Sequence, residues 1–187
     1  FNDGSFTELS VNPRYEYLTK PFRLHRNDTT VAPIAAGGYA WSEWILKYTT
    51  DLSQPLSLAF TGTMGGLWTG TQKTVNATLT WRPTYRFRVA STLQQSHIAL
   101  DQPQDAFDVT LVTARANYSF TTHMFLDALT QYDPVLHQFN ANVRFNVIHH
   151  PLSDLFIVYD EQRFTTPDQH VAPGRSIVVK FTQMFAL

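Results

Sequence analysis

The sequence contains no cysteine, few charged residues and no long apolar run. Without cysteine there are no disulfide bridges, no zinc sites built on thiolates and no cysteine nucleophile. Charged residues make up 16% of the 187 residues, whereas a typical soluble domain has about 25%. The formal net charge of −1 offers no electrostatic basis for binding nucleic acid or for docking a polybasic segment on a membrane.

No stretch approaches the roughly 20 consecutive apolar residues that a membrane-spanning helix needs. The first residue is Phe1 rather than an initiating methionine, and no basic segment followed by an apolar run stands at the beginning. We therefore expect the chain to be a processed or excised piece of a longer protein, with any signal peptide lost upstream.

Apolar and polar residues alternate through almost the whole chain, and aromatic residues make up 14% of it. In the first such segment Leu9 and Val11 alternate with Glu8, Ser10 and Asn12. In the eighth, the apolar side is Ala141, Val143, Phe145 and Val147, and the polar side is Asn140, Asn142, Arg144 and Asn146. A period of two residues predicts β-strands with one apolar and one polar face, and no helical period competes with it. About ten strands are predicted, and in the ninth both faces are apolar, so that its register stays open. The segments are 8–17, 43–48, 56–64, 74–81, 85–94, 112–119, 124–132, 140–147, 155–159 and 177–185.

The connections between these segments alternate in length. Tight turns are predicted at 82–84 and 150–154, and longer polar connections at 26–38, 101–105 and 164–175. Short turns at one end and longer loops at the other are typical of up-and-down outer-membrane barrels. We predict that residues 1–187 form a single all-β domain. It would be an antiparallel up-and-down meander of about ten strands that makes all, or the C-terminal portion, of an outer-membrane-type β-barrel.

Alternation alone does not distinguish a membrane barrel from a soluble β-sandwich or a lipocalin-like carrier, in which the apolar face points inward. The polar face favours the barrel, because it is mostly Ser, Thr, Asn and Gln rather than Lys and Glu. The apolar face carries rings that suit the aromatic girdles at the two membrane interfaces, although aromatic residues also favour strands in general. The candidate girdle residues are Trp44, Tyr48, Trp81, Tyr85, Tyr118 and Tyr132.

If the apolar face is turned outward, the charged residues of the opposite face point into the lumen. They then either set solute selectivity by charge and width or fill the interior as mutually paired charges. Both interpretations stay open. The candidate lumen-lining residues are Glu43, Lys47, Arg86, Arg88, Arg115, Asp127, Arg144 and Lys180.

Residues that suggest metal binding or catalysis are sparse. His149 and His150 resemble metal ligands or a catalytic base, but adjacent strand residues point to opposite faces, so histidines at a turn or interface are favoured. Serine, histidine and asparagine are frequent enough for a hydrolase triad, yet no nucleophile elbow surrounds any serine. Trp41 and Trp68 could stack on sugar rings, although a girdle role is favoured. We predict no catalytic, metal or cofactor site.

A series of short motifs follows in order along nearly the whole chain. The motifs are Asn12-Pro13-Arg14-Tyr15-Glu16-Tyr17-Leu18, Pro21-Phe22, Gly37-Gly38-Tyr39, Thr80-Trp81-Arg82-Pro83, Asp127-Ala128-Leu129-Thr130-Gln131-Tyr132, Asn142-Val143-Arg144-Phe145, Pro151-Leu152-Ser153-Asp154-Leu155-Phe156-Ile157-Val158-Tyr159 and Arg175-Ser176-Ile177-Val178-Val179-Lys180. In this order and spacing they resemble the C-terminal barrel region of the bacterial domain-of-unknown-function 5916 family. The resemblance implies a Gram-negative outer membrane, a longer parent protein with an upstream family-9-like carbohydrate-binding domain, and no established activity. One departure is that Ala186 and Leu187 follow Phe185, whereas outer-membrane barrels often end on phenylalanine.

Two functions from different classes are compatible with these observations. The first is transport or conduction of an oligosaccharide or another small solute through a water-filled lumen. The second is a plugged barrel that anchors an upstream glycan-binding domain in the membrane. Outer-membrane lipid and an oligosaccharide are the expected partners. Nucleic acid is not an expected partner, and an enzyme is the less favoured alternative.

Overall fold

The computed structural model describes residues 3–22, 33–101, 106–150, 153–165 and 174–184. Ten antiparallel strands follow one another in chain order in a single sheet, which confirms the predicted all-β, up-and-down arrangement. Over the described residues β1 and β10 are the two edges and the sheet is not closed, so closure into a barrel stays a prediction. The strands are β1 (Phe6–Leu18), β2 (Gly37–Thr49), β3 (Leu56–Leu67), β4 (Gly70–Thr84), β5 (Phe87–Ala99), β6 (Ala106–Thr121), β7 (Met124–Asp133), β8 (Gln138–His150), β9 (Ser153–Phe164) and β10 (Gly174–Thr182).

In the middle of the β1–β2 pair, several direct partners have like polarity. Leu9 opposes Leu46, and the neighbouring Glu8 opposes Lys47. Because successive side chains of a strand point to opposite faces, a slip of one residue would exchange the two faces of the pair. The alternation in the sequence therefore selects this register.

Pairing resolves the register of β9, which the sequence left open. Asp160 opposes Asn142 of β8, and Ile157 opposes Phe145. Ile157 therefore lies on the apolar face, together with Leu155 and Tyr159 at the same spacing of two. Phe156 and Val158 fall on the polar face, which explains why this segment looked apolar on both sides.

The turn predicted at 82–84 is wrong, because these residues are the last of β4. Proline is tolerated at a strand end, where its missing N–H interrupts no central ladder bond. The preceding Arg82 N–H donates to the Pro55 carbonyl at 2.6 Å. The turn lies one step later and consists of Tyr85 and Arg86, two residues that the sequence had assigned to opposite faces of a strand.

The remaining connections largely alternate in length as predicted. Connections from an even-numbered to an odd-numbered strand are short except at 50–55, and those from odd to even are longer except at 68–69. No helix in the described part of the chain is both long and apolar enough to cross a membrane. Several positions named above lie outside the described residues: 26–32, 102–105, Pro151, Leu152, 166–173 and Phe185.

The chain divides into two compact units. The first unit consists of Phe1–Asp51, Ala59–Ala77 and Gln94–Thr110. It holds β1, β2 and parts of β3 to β6. The second unit consists of Leu52–Leu58, Thr78–Leu93 and Leu111–Leu187, and holds β7 to β10 with the remaining parts of β3 to β6.

Burial in both units is the inverse of that in a soluble domain, where apolar side chains dominate the interior. Among the described residues the buried apolar ones are Ile34 and Leu100, whereas the buried polar ones are Glu43, Ser57, Thr80, Ser96, Asn146 and Ser153. Large apolar side chains are exposed instead. They include Leu9, Val11, Trp44, Met64 and Val75 in the first unit, and Leu79, Trp81, Val112, Ile157, Ile177, Val179 and Phe181 in the second.

Candidate functional site

The polar face of the second unit is built from aligned residues of β6 to β10. Because every second residue of a strand shares a face and the pairing is direct, these residues form four rows across the strands. The amide row is Thr113, Gln131, Asn140 and Gln162; the mixed row is Arg115, Leu129, Asn142, Asp160 and Ser176; the ion row is Asn117, Asp127, Arg144, Val158 and Val178; the aromatic row is Ser119, Phe125, Asn146, Phe156 and Lys180.

The ion row brings together two of the charged residues predicted for the lumen. Asp127 of β7 lies between Asn117 of β6 and Arg144 of β8. The Asn117 side-chain amide donates to the Asp127 carboxylate. Arg144 is exposed, and none of the ion pairs in the described part of the chain involves it. With Arg115, these residues border a cleft of about 230 Å³.

The mixed row and the amide row form a second polar surface. The Asn142 amide donates to Asp160 at 2.5 Å, and the Ser176 hydroxyl donates to the other oxygen of the same carboxylate at 3.5 Å. These residues border a cleft of about 440 Å³ together with Gln131 and Asn140. Carboxamides both donate and accept hydrogen bonds, so the surface can pair with hydroxyl groups in either direction.

The aromatic row is the row nearest the turn between β6 and β7, and there the polar face carries phenylalanine side chains. Asn146 is only 5% exposed and lies between Phe125 and Phe156 in its row. Its side-chain carbonyl oxygen has no hydrogen-bond partner among the described residues. Lys180, another residue predicted for the lumen, opposes Phe156 and is exposed.

The polar face of the first unit is organised around Glu43, which is 8% exposed. Its carboxylate accepts from Arg14 Nε at 3.2 Å, from Trp41 Nε1 at 3.1 Å and from Gln72 Nε2 at 3.1 Å. Gly65 is the direct partner of Glu43 in β3. Because Gly65 has no side chain, the carboxylate passes over β3 and reaches Gln72 of β4.

Lys47, the other predicted lumen residue of the first unit, forms a pair with its direct partner Glu8 at 3.1 Å. The favoured girdle role is wrong for Trp41, which is part of β2 and bonds Glu43 on the polar face. Trp68 has a positive φ of 48° in the 68–69 connection, and its indole donates to Glu16 at 2.8 Å. Neither tryptophan contributes to the apolar face of this unit.

The remaining residues predicted for the lumen or the girdle are spread over several strands and one turn. Arg88 stands at the start of β5 and is exposed, whereas Arg86 lies in the turn with its guanidinium 5.3 Å from the Tyr85 ring centroid. In the second unit Trp81, Phe87, Tyr118, Phe120 and Phe145 form a chain of ring contacts with centroid distances of 4.7 to 6.1 Å. Two of these five rings, Trp81 and Tyr118, were predicted for the girdle. The other four are Trp44 and Tyr48 in β2, Tyr132 in β7, and Tyr85 in the turn between β4 and β5.

The histidine pair does not have the arrangement expected from strand alternation. The rings of His149 and His150 are 5.1 Å apart, because the β8–β9 register shifts between Ile148 and His150. His149 bonds Gln183 at 2.9 Å and stacks on Phe181 at 5.5 Å. No group of three or more histidine, aspartate or glutamate side chains among the described residues could hold a metal ion.

Sequence reasoning missed several residues of the polar face of the second unit. It named only charged residues as individual lumen-lining candidates, although Asn140 and Asn142 were already assigned to the polar side of their strand. Asp160 was missed because the register of β9 was open. Asn146 was on the predicted polar side, but its burial between two phenylalanines depends on the neighbouring strands.

We found no matching family model, no similar curated protein and no similar solved structure.

Proposed function

We propose that the chain forms the membrane-spanning wall of a bacterial outer-membrane β-barrel, with its apolar face towards lipid and its polar face towards a water-filled lumen. The inverted burial carries this proposal. In water, each exposed Leu, Ile, Val or Phe side chain forgoes roughly 1.5–3 kcal/mol of burial free energy, and contact with lipid removes that penalty. A soluble sandwich would need a second sheet over the apolar face, whereas the ten strands belong to one sheet.

The strand dimensions support the same proposal. The strands have between 9 and 16 residues, and a tilted strand needs about 9–11 residues to cross the hydrocarbon core. In hydrocarbon every backbone N–H and C=O must be paired within protein, so the edges of β1 and β10 each require a neighbouring strand. Ten strands that close alone and ten strands that complete a larger barrel both meet this requirement.

The solute that best fits the polar face of the second unit is rich in hydroxyl groups. The amide row and the mixed row offer carboxamides, a carboxylate and a hydroxyl, and the ion row adds the exposed Arg144 guanidinium. Hydroxyls donate to carboxylates and amide oxygens and accept from amide N–H and guanidinium groups. We therefore propose conduction or uptake of an oligosaccharide or a solute of similar chemistry.

A specific observation also favours an anchoring role. In the first unit Arg14 pairs with Glu43 and Lys47 pairs with Glu8 on the polar face, and Glu43 also accepts from Trp41 and Gln72. Paired charges of this kind fill the interior of small closed barrels. These pairs support a plugged barrel, and the upstream glycan-binding domain that it would display is part of the proposal.

The first experiment is heat-modifiability of the full chain in outer-membrane fractions, which compares the gel mobility of boiled and unboiled samples. A closed membrane barrel runs as a compact, fast species before boiling. A periplasmic, water-soluble protein with no mobility shift would contradict the membrane proposal.

Conductance across planar bilayers then separates a channel from an anchor. For a channel we expect Arg144→Gln to shift the reversal potential in a salt gradient towards cation selectivity, because it removes a positive charge from the lumen. Lys73→Gln is the matched control, because Lys73 lies two residues from the exposed Val75 on the apolar side of β4. A heat-modifiable protein that conducts no ions would favour the anchor.

A further inference from the structure

The apolar face of the second unit becomes charged abruptly at the end where β9 leads into β10. Along β9, Ile157 and Tyr159 are followed at the same spacing of two by Glu161 and Arg163. Along the neighbouring β10, Ile177 is preceded by Arg175, which is the direct partner of Glu161. Two residues span about 6.6 Å of strand, so the face passes from apolar to charged within one step.

Side-chain contacts hold this charged group in a defined arrangement. The Arg175 guanidinium donates to Glu161 at 3.2 Å, and the Tyr159 hydroxyl donates to the other carboxylate oxygen at 3.0 Å. The Arg163 guanidinium lies 4.9 Å from the ring centroid of Phe139, its direct partner in β8. Both arginines are therefore oriented before any ligand arrives.

The group carries an excess of positive charge with spare hydrogen-bond donors. Two guanidiniums face one carboxylate, and no ion pair among the described residues involves Arg163. Arg175 remains 61% exposed although it is paired with Glu161. Each guanidinium has five N–H donors, so the single bond from Arg175 to Glu161 leaves most of them available.

We propose that Arg163 and Arg175 bind the phosphate group of a membrane lipid, an inference that rests on the proposed membrane barrel. If the apolar residues of β9 and β10 contact acyl chains, the next step along the strands lies at the depth of the headgroups. A guanidinium matches phosphate oxygens with two parallel hydrogen bonds. Stacking on Phe139 and pairing with Glu161 orient the two forks, and the adjoining Ile177 and Ile157 lie against the acyl chains.

The test is a titration of the purified full chain in non-ionic detergent with phosphatidylglycerol, followed by native mass spectrometry. Diacylglycerol with the same chains is the ligand control, since it lacks phosphate. We expect tighter binding of phosphatidylglycerol, and we expect Arg163→Gln with Arg175→Gln to weaken it about tenfold or more. The double variant Arg163→Lys with Arg175→Lys keeps the charge without the planar fork. Its affinity for phosphatidylglycerol should lie between those of the wild type and the double glutamine variant.

Arg88→Gln serves as the protein control, because it removes one exposed guanidinium at the start of β5, outside the proposed site. It should bind phosphatidylglycerol as the wild type does. Equal affinity for the two lipids, or wild-type affinity in the double glutamine variant, would overturn the inference. Displacement by soluble glycerol phosphate at the same concentration would also overturn it, since the ligand would then be a free phosphate.

Heat-modifiability measured on the same samples separates the two proposals. A mobility shift without any preference for the phosphorylated lipid would overturn the headgroup site and leave the membrane barrel intact. Absence of both the shift and lipid binding would overturn both.

Discussion

The polar faces of the two units arise from the same alternation but use their polar residues differently. In the first unit Glu43 is buried and accepts from three side chains that come from β1, β2 and β4. In the second unit the Asp127 carboxylate accepts from one neighbouring amide, and the adjacent Arg144 is exposed. The first face is cross-linked by its own side chains, whereas the Arg144 guanidinium of the second face has no ion-pair partner among the described residues.

The physical reason for this difference lies in the residue opposite the carboxylate. Glu43 faces Gly65, and the missing side chain lets one carboxylate reach across a whole strand. Asp127 has Asn117 and Arg144 as its direct partners on the two neighbouring strands. Both have side chains, and that of Arg144 is exposed. A single glycine therefore distinguishes a network that spans several strands from a surface of adjacent pairs.

The largest expected effect comes from adding a side chain at Gly65. A Cβ at Gly65 would lie 2.2 Å from the Ser42 carbonyl oxygen and 2.8 Å from Glu43 Cα, so Gly65→Ala must displace backbone. We expect it to lower the free energy of unfolding by about 3 kcal/mol, measured by urea titration of the full chain in lipid vesicles with tryptophan fluorescence. Gly174→Ala is the control in the second unit, because no atom of the described residues lies within 4 Å of its added Cβ, and it should stay within about 0.5 kcal/mol of the wild type. Similar losses for both variants would remove the special role of Gly65.

A smaller effect is expected when the carboxylates themselves are removed. Glu43→Leu leaves Trp41 and Gln72 without their acceptor and should lower the free energy of unfolding by about 2 kcal/mol. The contribution of Arg14 is small, because its side chain is 56% exposed. Asp127→Leu removes the acceptor of a single amide donor and should cost about 1 kcal/mol or less.

The same urea titration checks this prediction, with Glu43→Gln as an intermediate that keeps an acceptor oxygen. If Asp127→Leu proves as destabilising as Glu43→Leu, the two faces are equally cross-linked and the comparison fails.

The smallest expected effect concerns a pair of hydroxyl contacts on β4 and β5. Thr74 bonds Ser96 at 3.1 Å in the first unit, and Thr78 bonds Thr92 at 2.9 Å in the second. Ser96 is buried, whereas Thr92 is partly exposed. Thr74→Val should therefore cost about 1 kcal/mol and Thr78→Val about 0.5 kcal/mol, because water can replace the lost partner only at Thr92. A double-mutant cycle with Ser96→Ala and with Thr92→Val measures the two couplings, and a larger coupling in the second unit would contradict the prediction.

Strand positions were predictable where the alternation was strict. β8 is an example, since Asn140, Asn142 and Arg144 were correctly placed on one side of the strand. The prediction failed at Pro83, where proline suggested a turn but lies instead at the end of β4. It also failed for Trp41, because exposure of a ring near a predicted loop does not reveal a hydrogen bond to Glu43 two residues later.

The candidate site was only partly predictable for a different reason. Asp127 and Arg144 were selected from their charge and their side of the strand, and the pairing of β7 with β8 brings them together. Asp160 required the register of β9, which its apolar neighbours left undefined. The burial of Asn146 between two phenylalanines required the identity of residues on both adjacent strands.

The sequence by itself determined that this protein consists of about ten antiparallel strands, each with an apolar and a polar side, because a period of two residues is a local property that each segment carries alone. Only the tertiary structure decided which polar residues meet, where the turn between β4 and β5 lies and which charges are paired. These depend on the register between strands that are tens of residues apart, and on whether the residue opposite a side chain, such as Gly65, leaves room for it.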